Sequence, residues 1–154
     1  MIALLPVSHR RFAASQAQAI ALMPEQHAWS ITPASELDPA EYVYFTDTWE
    51  DMGFAWDGCE IKCLYKRKTL RQHSAVKVAL ATIRDMYPED WGCGPIRLHC
   101  FDWLEHHYQS HGFKRIAADP WKPSLAPARW PEVLGKPSYV SMTYNFAHGM
   151  AAAA

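Results

Sequence analysis

The amino-acid sequence predicts a mixed α/β domain, with a mostly antiparallel sheet flanked by helices. Three observations carry that prediction. Residues 42–66 read as three short β-prone runs separated by turn residues. Residues 75–86 place Ala75, Val78, Ala79, Thr82, Ile83 and Met86 on one helical face. Residues 96–116, IRLHCFDWLEHHYQSHGFKRI, read as strand, short helix, strand.

The composition fits one core. The chain has 154 residues, 49% hydrophobic and 20% charged, so it can bury a core and is not disordered by composition. Residues 1–150 are taken as one domain and the alanines 151–154 as a tail. A net charge of −1 argues against binding by a broad electrostatic field, as in non-specific nucleic-acid binding. Cys59, Cys63, Cys93 and Cys100 form no C-x-x-C pair, so neither a zinc ribbon nor a redox pair is signalled. The opening MIALLPVSHRRF is too short for a signal peptide, and no run reaches membrane-span length. A reduced, cytoplasmic protein is expected.

Taken in order, residues 2–7 (IALLPV) form a short apolar first strand. Ser8 caps a helix over residues 9–23, with Phe12, Gln16, Ala19, Ile20 and Met23 on one face and Pro24 as its end. A short second helix is expected after Thr32 and Pro33. Residues 42–48, 53–56 and 59–66 are the three strands of a meander, with Asp57 and Gly58 as a two-residue hairpin turn. The helix over 75–86 stops before Pro88. Residues 96–101 alternate as a half-buried strand, and Asp102 can cap the helix that follows. Gly112 ends that helix, and a strand opens at Phe113. Residues 119–137 hold five prolines and two tryptophans and read as a long shaped loop. A last strand spans 138–145.

The order Leu104-x-x-His107-Tyr108-x-x-x-Gly112-Phe113 resembles the L-x-x-F-Y-x-x-x-G-F signature of GNAT-type N-acetyltransferases. Leu104, Tyr108, Gly112 and Phe113 match, and His107 departs from the usual aromatic. The element order β-α-(α)-β-β-β-α-β-α-β, with a last strand after a long loop, is similar to that family from first strand to last. The alternative is an ordinary strand–helix–strand piece of another α/β domain. The resemblance implies a GNAT-like fold whose sheet splays between residues 59–66 and 96–101.

It also implies acetyl-CoA as co-substrate. The family holds the pyrophosphate on an Arg/Gln-x-x-Gly-x-Gly/Ala loop at a helix start, where free amides and the helix dipole favour an anion. The matching window is Arg71, Gln72, His73, Ser74, Ala75 and Val76, approached by Leu64, Tyr65 and Lys66. Arg71 matches. Ser74 is small and carries a hydroxyl donor. Val76 departs, because a β-branched side chain crowds close approach to the backbone.

The resemblance also implies Tyr108 as the acid, since the family's matching tyrosine lies near the coenzyme A sulfur and a phenol suits protonation of a thiolate leaving group. Several acetyltransferases keep a catalytic Glu near the position of Glu60, so the resemblance implies it as the candidate base for an ammonium acceptor, with His99, Glu50, Asp51 or ordered water as alternatives. His107 and His111 are an i,i+4 pair, but no carboxylate or cysteine on that helix completes a ligand set, so no metal is expected. Trp29, Trp49, Trp121 and Trp130 are candidate walls of an acceptor pocket.

The reading is therefore acetyl transfer from acetyl-CoA to a primary amine, by direct attack in a ternary complex. The acceptor is a small molecule or a protein lysine or N-terminus. The rivals are an inactive GNAT-like binding module, and an unrelated domain using the histidines and residues 66–71 for metal or nucleic acid. No membrane partner is expected, and a homodimer is compatible with the sequence.

Overall fold

The computed structural model describes residues 2–67, 73–87, 95–126 and 128–145. Strand β1 (Leu5–Val7) leads into α1 (His9–Ala21) and a short α2 (Glu25–Trp29). Strands β2 (Val43–Thr46), β3 (Met52–Trp56) and β4 (Ile61–Lys66) follow as a meander. After them come α3 (Ala75–Met86), β5 (Ile96–Phe101), α4 (Asp102–Gln109), β6 (Lys114–Asp119) and β7 (Tyr139–Tyr144).

The strands form a four-stranded sheet in the order β1-β2-β3-β4 and a three-stranded sheet in the order β5-β7-β6. Every ladder within them is antiparallel. The sheets meet where Glu60 bridges Arg97 in parallel and the Arg97 amide donates to the Cys59 carbonyl at 2.9 Å. Beyond that bridge β4 and β5 belong to separate sheets, so the expected splay between them is present.

Helices α1 and α3 cover opposite faces of the meander. Phe12 and Ala19 of α1 pack with Tyr44, Ala55, Cys63 and Tyr65. Val76, Ala79 and Ile83 of α3 pack with Phe45, Phe54, Trp56 and Ile61, and with Leu98, Val140 and Met142 of the second sheet. Phe12 has no exposed surface, and its burial contributes about 1.5–3 kcal/mol. Gly53 lets it approach: a Cβ there would lie 2.9 Å from the Phe12 ring and 2.4 Å from the Phe45 carbonyl oxygen.

Strand β4 does not alternate through its length. Gly53 pairs with Tyr65 but Ala55 pairs with Lys62, so Cys63 and Leu64 together oppose Phe54. This is a β-bulge, and Cys63 sits in it at φ +58. One extra residue flips every later side chain to the other face. Ile61 and Leu64 therefore face the α3 core, while Cys63 and Tyr65 face α1.

Several expectations need correction. The second helix begins directly after Pro24, with Glu25 in its first turn where a carboxylate suits the helix dipole. After Pro33 there is only a 3-10 turn, Ala34–Glu36. Asp57 and Gly58 are not a two-residue hairpin, because Trp56 pairs with Ile61 across a four-residue loop, residues 57–60. Asp57 Oδ1 accepts from the amides of Cys59 and Glu60 and ties that loop off. On α3 the buried face is Val76, Ala79, Leu80, Thr82 and Ile83, with Met86 46% exposed. Asp102 does not cap α4. It lies in the first turn, and its carboxylate accepts from the Ser138 amide, fastening the entry to β7.

Candidate active site

A cleft of about 560 Å³ opens between β4, β5, α4 and the segment 28–33. It follows from the splay: β4 and β5 touch at Glu60 and Arg97, and no ladder closes the gap beyond. Glu60, Leu64, His99 and Tyr108 all line it.

Glu60 stands in the turn before β4, with its side chain 18% exposed. Its Oε1 lies 2.8 Å from His99 Nδ1, so the carboxylate accepts from the imidazole across the two sheets. That hydrogen bond, opposed by partial burial and aided by the Glu60 charge, raises the His99 pKa from its ordinary value of 6.5. Glu50 and Asp51, the alternative bases, do not line the cleft. Glu50 accepts from Ser15 and Arg11, which hold its carboxyl below the usual range. Asp51 pairs with Arg67 at 3.5 Å.

Tyr108 projects from α4, its ring edge-on to Phe113 at 5.9 Å. Burial, and then the Cys100 thiol, push its phenol above the usual value, so it stays protonated at neutral pH. The cleft also exposes the edge of two cysteines, Cys63 and Cys100, each with a thiol pushed up to about 12 by burial.

The proposed cofactor mouth is only partly described. Arg71 and Gln72 lie outside the described residues. Lys66 reaches from the end of β4 to donate to the His73 carbonyl at 2.9 Å. Leu64 faces the cleft, whereas the Tyr65 ring is buried against Phe12 and its hydroxyl donates to the Glu50 carbonyl at 3.2 Å.

Ser74 is the N-cap of α3, and its Oγ accepts from the Lys77 amide. Helix geometry leaves the amides of Ala75 and Val76 without an intrahelical acceptor. The Val76 side chain is 2% exposed and points into the core, so it does not crowd those amides.

His111 is the partner that sequence reasoning missed. Its Nδ1 lies 2.9 Å from the His107 carbonyl oxygen, which can only accept. In the neutral ring Nε2 is then an acceptor, and the Ser74 hydroxyl donates to it at 2.8 Å. The Ser74 proton, expected to serve an anion, is committed to α4. Both ring nitrogens of His111 are engaged, which removes it as a metal ligand in this arrangement. Among the described residues no group of three or more His, Cys, Asp and Glu is placed to hold a metal ion. His107 has its pKa lowered, first by burial and then by His111 and Lys66.

The far end of the cleft is aromatic. Trp29 lines it as expected, with Phe101 and Tyr139, whereas Trp121 and Trp130 do not line the cleft and instead pack, with Trp103, against those three rings. Trp49 does not; it sits in the β2–β3 turn, 81% exposed. Trp103 and Tyr139 were not singled out in the sequence, where they read as ordinary members of a helix and a strand.

Several solved structures share this arrangement. An acetyltransferase of the GNAT family from Staphylococcus aureus Mu50 superposes with a TM-score of 0.57 at 13% identity, covering 93% of this chain and 99% of its own. The IAA acetyltransferase from Bacillus cereus ATCC 14579 gives 0.59 at 10% identity, covering 94% and 99%. ElaA from Escherichia coli gives 0.54 at 14% identity, covering 94% and 100%. The chain has the GNAT-type fold. No family model and no curated protein sequence matches it, so the likeness is one of fold. Within the GNAT-type fold, the bulged strand β4 and the helix that carries Tyr108 form two of the walls of the cleft. No described helix is long and apolar enough to cross a membrane.

Proposed function

We propose that this protein is an N-acetyltransferase that moves an acetyl group from acetyl-CoA to a primary amine in a ternary complex. The observation that carries the reading is the cleft between β4 and β5, which Glu60 and Tyr108 both line. Acetyl-CoA supplies the activated acyl group as co-substrate. Its pyrophosphate suits the start of α3, where the Ala75 and Val76 amides lack helical acceptors and the Val76 side chain is turned away. Arg71, Gln72 and His73 complete that mouth in this reading, with Leu64, Tyr65 and Lys66 lending backbone from β4.

Glu60, hydrogen-bonded to His99, takes the proton of the acceptor ammonium, directly or through water. An amide of residues 61–65, where the bulge interrupts the ladder, donates to the developing oxyanion. Tyr108 gives its proton to the departing thiolate. Both cleft thiols are kept protonated by burial, which favours direct attack over an acyl-cysteine.

Calorimetric titration with acetyl-CoA tests the reading, and saturable binding at one site per chain is the expected result. Absence of binding overturns it. Binding without consumption of acetyl-CoA across an amine panel leaves the rival, an inactive GNAT-like binding module.

A further inference from the structure

We infer that the open edge of β6 pairs with the same edge of a second copy of this chain. The two strands run antiparallel, with Lys114 of each copy opposite the partner's Asp119. The inference does not rest on the acyl-transfer reading.

The two sheets have four edges. Strands β4 and β5 turn theirs toward each other across the cleft. Strand β1 ends the first sheet, but it is only Leu5–Val7 and carries Pro6, which has no amide to donate. Strand β6 ends the second sheet with six residues, Lys114–Asp119, and every one of them is exposed. Ile116, at its middle, is 58% exposed. An edge of this kind presents unpaired amides and carbonyls to any strand that can lie beside it.

The sequence KRIAAD is complementary to itself when reversed. Laid antiparallel on its copy, Lys114 meets the partner's Asp119 at both ends of the pair. Arg115 meets the partner's Ala118, and Ile116 the partner's Ala117, so small side chains face the large ones. Among the described residues Lys114 and Asp119 have no ion-pair partner, whereas Arg115 is held by Glu105 of α4.

A second observation makes this register possible. Residues opposite each other in an antiparallel ladder must share a face. Lys114 and Asp119 are five residues apart, so in a regular strand they would point to opposite faces. Strand β6 is not regular. Arg115 pairs with Met142 and Ala117 with Ser141, its neighbour on β7, so Ile116 is the extra residue of a bulge. Lys114, Ala117 and Asp119 therefore pair with Thr143, Ser141 and Tyr139 on one face. Arg115 and Ala118 pair with the fully buried Met142 and Val140 on the other. Each proposed cross-copy pair of charged ends thus shares a face.

A bulge and an edge lysine are also means of keeping an edge solitary. An edge built to repel its copy carries one sign of charge, however. This one carries a free cation at one end and a free anion at the other. The paired edges would join two three-stranded sheets into one of six, and would leave the cleft on the β5 side of each copy open.

The test is sedimentation velocity of the full chain from about 1 to 500 µM, the range of a weak to moderate self-association. A monomer–dimer equilibrium is expected. K114E sets a carboxylate against the partner's Asp119, and D119K sets an ammonium against the partner's Lys114. Each should weaken dimerisation by about tenfold or more, because the twofold turns two attractive pairs into two repulsive ones. The double swap, K114E with D119K, should restore it to within about threefold of wild type. Melting temperatures in dilute solution should match, since both side chains are exposed. Hydrogen exchange on the wild type needs no variant: amides of residues 114–119 should exchange more slowly in concentrated than in dilute protein. A chain that stays monomeric across the range overturns the proposal. So does a dimer that ignores the single swaps, one that the double swap fails to restore, or β6 exchange independent of concentration.

Discussion

The side-chain amide of Gln16 donates to the carbonyl of Cys63 at 3.0 Å, so a residue of α1 holds the β4 bulge in its left-handed turn. The same amide donates to Thr32, and its oxygen accepts from the Ala34 amide at 2.7 Å. One buried side chain thus joins α1, the bulge and the segment that walls the cleft. Gln16→Ala leaves buried groups without partners, each costing about 1–3 kcal/mol. Stability from urea unfolding should fall by at least about 2 kcal/mol, whereas an unchanged midpoint would mean that the bulge holds itself.

The Glu60–His99 pair makes a prediction about pH. The folded His99 pKa lies above its ordinary 6.5, with the Glu60 hydrogen bond as the main cause. The stabilisation from this pair is present below the unfolded histidine pKa and is lost as pH rises through the folded one. The difference in melting temperature between wild type and Glu60→Gln should therefore shrink as pH rises through that window. Proton NMR should show the His99 midpoint moving down in Glu60→Gln. A midpoint that stays in place would dissociate the two groups.

Tyr108→Phe keeps the ring that packs on Phe113 and removes only the hydroxyl. Turnover should drop by roughly 10²–10⁴ while acetyl-CoA affinity and melting temperature change little. The measurement is acetyl-CoA consumption with an amine panel. Equal rates for the two proteins would assign Tyr108 to packing alone.

Ser74→Ala removes the cap of α3 and the donor to His111 together. A cost of about 0.5–2 kcal/mol is expected from the lost cap. The freed His111 Nε2 should also show an altered imidazole chemical shift. A stability loss with His111 unmoved would mean that the contact between α3 and α4 is incidental.

Local pattern made much of this fold legible. The alternation of IRLHCF marks β5 from Ile96 to Phe101 without error, and the apolar period of residues 75–86 marks α3. The bulge was not legible, because Cys63 is neither Gly nor Asn and nothing local announces a positive φ there. The pairing of the site residues was not legible for a different reason. Glu60 and His99 are 39 residues apart, and Ser74 and His111 are 37 apart. Such pairs are made by the crossing of elements, which no short spacing encodes. The helix that carries Tyr108 could be placed because its motif is local, whereas the face of Leu64 is set by the bulge.

The strand order of the second sheet has a consequence in time. Strand β7 lies between β5 and β6, so each of those strands finds its ladder partner only in residues 139–144. On the ribosome, β5 and β6 emerge before the strand that pairs them, and one wall of the cleft can form only when nearly all of the described chain has been made. Until then the apolar faces of Ile96, Leu98 and Phe113 lack Val140 and Met142 as neighbours. A nascent chain stopped before Tyr139 would hold the meander and α3 but not the finished cleft, and would present sticky strand edges to chaperones.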